Sequence, residues 1–490
     1  MSAFDPQLAL AIPAAGAVLI AVTGRWPNLR ETITLLSAVG LLYVVVSLVP
    51  AVLSGQHPSS TMTTMMPGLA IRLVVEPLGM LFALVASALW IVNSIYSIGY
   101  MRGNKEHKQT RFYVCFAIAL AATMGIAFAG NLLTLFLFYE ILTLCTYPLV
   151  THHGDAEAKR AGRIYLGILI GTSIGFLLLA IVWTWYLTGT LEFARGGILA
   201  NHADAATTGI LLALYMFGIG KAALMPVHRW LPAAMVAPTP VSALLHAVAV
   251  VKVGVFSVVR VLTGIFGVEL LSSLHLGTVV CYIASFTIIV ASLIALSQNE
   301  LKRRLAFSTI SQLSYIVLGV GLLSQKGMTG GMVHIAMHAF GKITLFFCAG
   351  AIFVATGRKY ISEMVGIGKK MPVTMTAFFI GALSVIGLPP SGGFISKWSL
   401  VLGTLEADQW VMLGVLLFSS LLNAAYFLPI VYRAFFCTPE ESMFEGGMKE
   451  APVWCVGPLV FTAAASLFLF FYPQPFFRLA SMMAQNLLGN

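Results

Sequence analysis

Five ionisable side chains stand inside stretches that otherwise read as membrane-spanning helix: Glu140, Lys221, Lys252, Lys342 and Lys397. A charge at the centre of a bilayer costs at least about 2.5–3.5 kcal/mol on insertion scales. Five such positions in one chain point to a route for protons or ions across the membrane. Glu140 lies in the middle of NLLTLFLFYEILTLCTYPLV. A carboxyl group buried alone stays neutral, whereas one beside a cation ionises. Lys221 is the natural partner; the alternative is an ion pair that only fixes helix packing.

His334, His338 and Lys342 follow one another at i, i+4 and i+8 in GMVHIAMHAFGKITLFFCAG, so they stack along one helix face. Three titratable groups in a file suit a proton relay, with histidine changing charge near neutral pH. A metal or haem site is the rival, but no HExxH glutamate, Asp or Cys accompanies the pair. Histidines that merely hydrogen-bond between helices are the other alternative. His246 and Lys252 share PTPVSALLHAVAVVKVGVF. Six residues apart on a 3.6-residue helix, they face directions about 120° apart and can join two neighbours of a chain. The polar run Ser308, Thr309, Ser311, Gln312 and Ser314 follows Lys302, Arg303 and Arg304. It either holds water for a cytoplasmic entrance or hydrogen-bonds between helices. His152, His153, His202, His228 and His275 fall at interfaces and receive no role.

Four buried lysines against one carboxylate is an implausible burden in low dielectric if all are ionised. Some lysines must spend time neutral, and so bind and release protons. Sodium prefers hard oxygen ligands with little positive charge nearby. The interior therefore suits protons better than sodium.

The elements that must hold these residues are helices. Hydrophobic residues make up 59% and charged residues 9% of the 490, far below the quarter or so that is charged in soluble domains. The chain reads as an all-α polytopic membrane protein. Spans are expected near 5–23, 32–54, 71–99, 111–129, 131–151, 162–188, 208–233, 238–262, 274–297, 302–324, 328–356, 373–401, 409–437 and 452–474. Nineteen Lys and Arg residues fall in connections after odd-numbered spans; only Arg72, Arg195, Arg260, Lys326 and Arg478 fall on the opposite side. The positive-inside rule then puts the odd connections in the cytoplasm and both termini outside a cell (plasma) membrane. That alternation would be scrambled by a wrong count, so it supports fourteen. The +10 net charge follows from these loops and does not call for nucleic acid. The N-terminal MSAFDPQLALAIP lacks a basic region and reads as a retained first helix. The six cysteines sit in or beside apolar helices without metal-ligand spacing and act as small hydrophobes.

Two spans carry interruptions, GKAALMP at 220–226 and GLPPSGGFISK at 387–397. Proline removes a backbone donor and clashes with the preceding turn, so each helix should unwind there. Unwound backbone at membrane depth is tolerated against protein or a wet cavity. Paired interruptions, each beside a lysine, point to inverted repeats with a midplane site. The expected organisation is a three-helix segment at 1–110, a first repeat at 111–262 (helices four to eight), a second at 263–437 (helices nine to thirteen), and a C-terminal helix and tail at 438–490.

The stretches FYEILTLCTYPLV, GIGKAALMPVHRWLPAAMVAPTPVSALLHAVAVVKVGVF, LKRRLAFSTISQLSYIVLG, HIAMHAFGKITLFFCAG and IGLPPSGGFISKW resemble the proton-conducting antiporter-like subunits shared by respiratory complex I, membrane-bound hydrogenases and Mrp-type sodium/proton antiporters. The resemblance covers about residues 75 to 435. It implies fourteen helices with two inverted five-helix repeats. It also implies a proton path through Glu140, Lys221, His246, Lys252, His334, His338, Lys342 and Lys397. Lys at 397 argues against the complex I member that carries Glu there, and HAFGKITLFFCAGAIFVATGRKYISEMVGIGKKMP looks Mrp-like. Pro148, eight residues after Glu140, departs from the pattern and bears on the Glu140–Lys221 distance.

The leading expectation is a secondary transporter subunit, working with a paralogous antiporter-like subunit and small membrane subunits to exchange monovalent cations for protons. The runner-up is the same fold inside a redox-driven pump. Iron–sulfur and nucleotide motifs are absent from the sequence, so redox chemistry would belong to partners, and no cofactor is expected on this chain. An intramembrane haem enzyme at the histidine file is a third class, tested by visible absorbance of the purified protein.

Overall fold

The computed structural model describes residues 5–66, 68–438 and 449–489, with the backbone alone at Met66, His246 and Ala247. Fourteen spanning units follow one another. They are α1 (Leu8–Val22), α2 (Pro27–Leu53), α3 (Pro77–Gly103), α4 (Gln109–Ala127), α5 (Leu132–Val150), α6 (Ala156–Thr188) and α7 (Ala205–Gly218, then short turns to 236). After them come α8 (Thr239–Phe266), α9 (Leu276–Ser297), α10 (Leu301–Gly321), α11 (Gln325–Thr356), α12 (Pro372–Ile386 and Gly392–Glu406), α13 (Trp410–Phe436) and α14 (Val453–Phe471). Ten helices among the described residues are long and apolar enough to cross a membrane. The other four units are explained individually: α1 is short, α7 and α12 are broken, and α10 begins with Lys302, Arg303 and Arg304.

Local sequence fixes several starts. Asn131, Asp155, Asp204 and Ser324 accept hydrogen bonds from backbone amides three residues on, at 2.8, 2.7, 3.0 and 3.2 Å, capping α5, α6, α7 and α11. Proline opens α2, α3 and α12, where its missing donor costs nothing.

Three elements differ from the sequence expectation. Residues 71–76 do not begin α3. Strands β1 (Ser59–Met66) and β2 (Leu69–Val74) pair there as an antiparallel hairpin, with three β-favouring threonines in β1 and Ile71 and Val74 in β2. The tail forms α15 (Gln474–Leu488), an amphipathic helix packed on α3 and α11. Arg260 is not in a connection. It lies inside α8, is 4% exposed, and pairs with Glu76, its guanidinium 4.2 Å from the Phe193 ring centroid.

Helices α4–α8 and α9–α13 correspond in order, with the broken helix fourth in each. Five crossings per unit means that the two units start from opposite faces, so the repeats are inverted. The core centres on α8 and α11, whose flanks are all covered by protein and which turn their few charged and histidine side chains inward. Side chains from Gly327 to Ile352 of α11 are all buried, against α3, α8, α10, α12, α14 and α15.

Both interruptions unwind as expected. Helix α7 ends at Gly218, a tight turn follows over Gly220–Ala222, and Ala223 is left-handed at φ 56°. Helix α12 breaks at Gly387, with φ 89°. The Met225–Pro226 and Pro389–Pro390 bonds are cis. A Cβ at Gly254 of α8 would stand 2.2 Å from the Lys221 carbonyl carbon; glycine is what lets α8 close against the broken turn.

Candidate functional site

The unwound turn of α7 drops Lys221 onto α5. Its Nζ donates to the Tyr139 carbonyl at 2.8 Å and to Thr143 Oγ1 at 2.5 Å, and stands 3.1 Å from the Tyr139 ring centroid. The Tyr139 hydroxyl accepts from the Lys221 amide at 3.1 Å, and the Trp230 indole donates to the Gly220 carbonyl at 2.8 Å. Lys221 is fully buried.

Glu140 is one residue from Tyr139, yet it forms no ion pair with Lys221 among the described residues. Both of its carboxyl oxygens are buried without a hydrogen-bond partner. The expected direct pairing is therefore replaced by a lysine held on the helix backbone one residue away. Pro148 is not the cause, since α5 runs unbroken through it to Val150. The reason is facing. Tyr139 and Thr143, at i and i+4, point inward to α7, while Glu140 turns toward the side of α5 where Ile141 and Leu144 are exposed.

The central file runs from α8 to α12, with a step between two histidine rings that no hydrogen bond bridges. Lys252 Nζ and His338 Nδ1 are 2.8 Å apart. The His338 and His334 rings follow at 5.6 Å between centroids. His334 Nδ1 meets Ser396 Oγ at 2.8 Å, and Lys397 is the next residue. The Lys397 Nζ donates to the Ile386 carbonyl at 3.0 Å, across the break in its own helix, and to Ser420 Oγ at 3.3 Å. It lies 4.6 Å from the Tyr315 ring centroid, and Tyr315 stacks on His334 at 5.6 Å. Lys342 departs sideways and donates to Ser308 Oγ at 2.8 Å. The Nε2 atoms of both histidines are buried and unpartnered, as are the amide atoms of Gln312. Buried polar atoms of this kind call for ordered water.

The side chain of His246 lies outside the described residues. Its backbone belongs to a π-helical stretch, Ser242–Ala249, so the 3.6-residue angle expected between His246 and Lys252 does not apply. Such π-turns favour functional positions. Among the described residues no three His, Cys, Asp or Glu side chains converge in a way that could hold a metal ion.

Several polar partners carried no sequence signal strong enough to single them out. Tyr139 and Thr143 flank Glu140 with i, i+4 spacing, and that spacing was the available clue. Ser396 and Ser420 look like ordinary small helix residues. Glu31, buried between Arg30 at 3.3 Å and Arg102 at 2.5 Å, ties α2 to α3 at the arginine-rich end of the bundle. His152 is not peripheral but 3% exposed, with its Nε2 3.7 Å from the Glu106 carboxylate. Burial, then His153 and Arg111, push His152 down to about 4. Burial raises Glu106 above its ordinary range despite His153.

Residues 129–423 match the family described as NADH:quinone oxidoreductase/Mrp antiporter, transmembrane. The NADH-quinone oxidoreductase subunit N of Desulforudis audaxviator is 38% identical over 75% of this chain and 74% of its own length. The D-type subunit of the Na(+)/H(+) antiporter of Alkalihalophilus pseudofirmus is 28% identical over 94% of this chain and 92% of its own. The chain spans about half, 55%, of NAD(P)H-quinone oxidoreductase chain 5 of Synechocystis, at 30% identity. Among solved structures, a chain of the Mrp complex from Dietzia sp. DQ12-45-1b superposes with a TM-score of 0.88 at 23% identity, over 98% of this chain and 97% of that one. A chain of the membrane-bound sulfane sulfur reductase, an archaeal respiratory membrane complex, gives 0.86 at 25%, over 99% and 97%.

Proposed function

Because the chain belongs to the NADH:quinone oxidoreductase/Mrp antiporter transmembrane family, we propose that it is the proton-translocating, D-type subunit of a multisubunit monovalent-cation (sodium)/proton antiporter. The observation that carries this reading is the buried file in which Lys252 touches His338, the His338 and His334 rings lie 5.6 Å apart, and His334 touches Ser396, one residue from Lys397. Ion-pair scaffolding would need counter-charges beside the lysines. Here they rest on carbonyls, hydroxyls and a histidine, groups that accept a hydrogen bond from the charged amine and remain satisfied by the neutral one.

The arginine- and lysine-rich end is the cytoplasmic one in this reading, and both termini lie outside a plasma membrane. Glu140 sets the charge state of Lys221 from one residue's distance. Lys221, His246, Lys252, His338, His334 and Lys342 pass charge between the repeats 111–262 and 263–437. Lys397, beside its unwound turn, is the outward gate. Partners are other integral membrane subunits, including a second antiporter-like chain. Agreement with the Na(+)/H(+) antiporter relative over nearly its whole length supports the antiporter.

A second reading, the same pump inside a redox-driven complex, draws on the 38% identity to the quinone oxidoreductase relative. The complex isolated from native membranes and reconstituted in proteoliposomes separates the two. The antiporter collapses an imposed pH gradient on addition of sodium, without electron donors. Proton movement that occurs only with quinone and a reductant would overturn it.

A further inference from the structure

Lys342 leaves the histidine file and reaches toward α10 and α13. Its Nζ bonds Ser308 Oγ at 2.8 Å, and Ser308 Oγ accepts from the Tyr426 hydroxyl at 3.0 Å. That hydroxyl also meets Asn423 Oδ1. The Asn423 Nδ2 is buried without a hydrogen-bond partner among the described residues. Tyr426 in turn lines a pocket of about 230 Å³ that opens at the basic end of the bundle, with Gln298, Arg304, Ala425 and Arg433. Arg304 is pinned across it, donating to the Tyr426 carbonyl at 2.9 Å, to the Gln298 carbonyl at 2.9 Å and to the Leu296 carbonyl at 3.2 Å. Helical rise places Tyr426 about 15 Å and Ser308 about 10 Å along their helices from the basic ends. Tyr426 is itself fully buried, and the hydroxyl pair lies between the pocket-lining turn of α13 and the buried amine.

We propose that Tyr426 and Ser308 load protons onto Lys342 from this pocket, as an inlet separate from the histidine file. The inference rests on the proton-translocating reading above. In one transfer, a hydronium ion in the pocket gives a proton to the Tyr426 oxygen and is left as water, Tyr426 gives its own proton to Ser308 rather than to Asn423 Oδ1, and Ser308 gives its own to the neutral Lys342 amine. Both hydroxyls end neutral and Lys342 ends as ammonium. Among the described residues, the charged side chains lining the pocket are the guanidinium groups of Arg304 and Arg433, which repel sodium, whereas a hydroxyl pair passes a proton without moving an ion. The larger pocket of about 460 Å³ at the same end contains Glu106, Glu300 and Lys302, but Lys302 there bonds the Ala237 carbonyl at 2.6 Å and makes no link to Lys342.

The test uses the whole complex in proteoliposomes. Tyr426→Phe keeps the ring, which packs on Phe427 with centroids 4.7 Å apart, and removes only the hydroxyl. It and Ser308→Ala should each slow sodium-driven proton exchange by about a hundredfold, the low end of what a positioned proton-transfer group contributes. The sodium KM should not change, and the deficit should shrink as the pH on the basic side is lowered. Ser308→Thr, which restores a hydroxyl, should recover the rate. With the native cysteines replaced, Ala425→Cys treated with an impermeant thiol reagent from the basic side should block exchange. Lys342→Ala separates the two levels of inference. If it abolishes exchange while Tyr426→Phe and Ser308→Ala keep the wild-type rate and pH profile, the inlet is overturned and the transport reading stands. If Lys342→Ala itself exchanges normally, the transport reading falls.

Discussion

Gly254→Ala should disable transport from a position that touches no titratable side chain. A Cβ there would stand 2.2 Å from both the Lys221 carbonyl carbon and the Ala222 nitrogen, and 2.5 Å from the Lys221 oxygen. Carbon atoms in contact sit about 3.5–4.0 Å apart, so α8 and the broken turn must separate by more than about 1 Å. Two effects oppose each other. Alanine for glycine inside a helix gains about 1 kcal/mol, while overpacking a filled interior costs about 1–3 kcal/mol. Here the opposing atoms are backbone and cannot rotate aside, so the clash dominates. The displaced turn carries Lys221, whose Nζ depends on the Tyr139 carbonyl and Thr143 Oγ1. A misplacement of about 1 Å at a reacting group can cost a hundredfold in rate, and that is the expected loss. The assay is sodium-driven alkalinisation reported by a trapped pH dye, with assembly checked on native gels. Gly167→Ala on α6, where a Cβ meets nothing within 4 Å, is the control and should leave the rate unchanged. Wild-type exchange in assembled Gly254→Ala would refute the argument that Lys221 must sit where this close approach puts it.

Glu140→Gln should assemble normally and lose exchange, because the buried carboxyl has no hydrogen bond whose loss would loosen α5; an active, assembled variant would reduce Glu140 to a packing residue. Lys221→Arg and Lys342→Arg should keep the charge yet abolish transport, since arginine scarcely releases its proton; full activity in vesicles would mean a fixed electrostatic role. His152 is held neutral down to about pH 4 in the fold, whereas the unfolded chain takes up that proton near 6.5. Stability at this site is therefore complete above about pH 6.5 and declines as pH falls toward 4; His152→Gln should flatten that part of the melting-temperature profile in detergent, and an unchanged profile would discount the site.

The fourteen crossings were legible because lipid demands long apolar runs and the basic residues marked their ends. Both interruptions were legible because proline cannot stay in the hydrogen-bond ladder. The shared face of His334 and His338 was legible from helical spacing, whereas the turn of Lys342 aside to Ser308 was not. What escaped depended on geometry that one residue can redirect. Glu140 and Tyr139 are adjacent, and only the facing of α5 decides which of them meets Lys221. The Lys252–His338 contact joins residues 86 apart in sequence, and the π-helical stretch at Ser242–Ala249 alters the angle from which α8 approaches it. Arg260 looked like a connection residue because nothing in its neighbourhood named Glu76, 184 residues away, as a partner. The polar run from Ser308 to Ser314 was readable as polar, but its link to Tyr426 was not, since Tyr426 sits among apolar residues with no spacing to mark it.

Helix α11 is enclosed on every side, and much of its enclosure is translated after it. Of its neighbours, α3, α8 and α10 precede it, while α12, α14 and α15 follow. During vectorial synthesis the ribosome therefore delivers His334, His338 and Lys342 to the membrane before half their shelter exists. Until it arrives, the nascent chain holds polar groups at bilayer depth at a cost of a few kcal/mol. The last quarter or so of the polypeptide thus acts as an internal chaperone for the middle. On this hypothesis, chains ending at Thr356 should be cleared by quality-control proteases faster than full-length chains in a pulse-chase, and equal lifetimes would count against it.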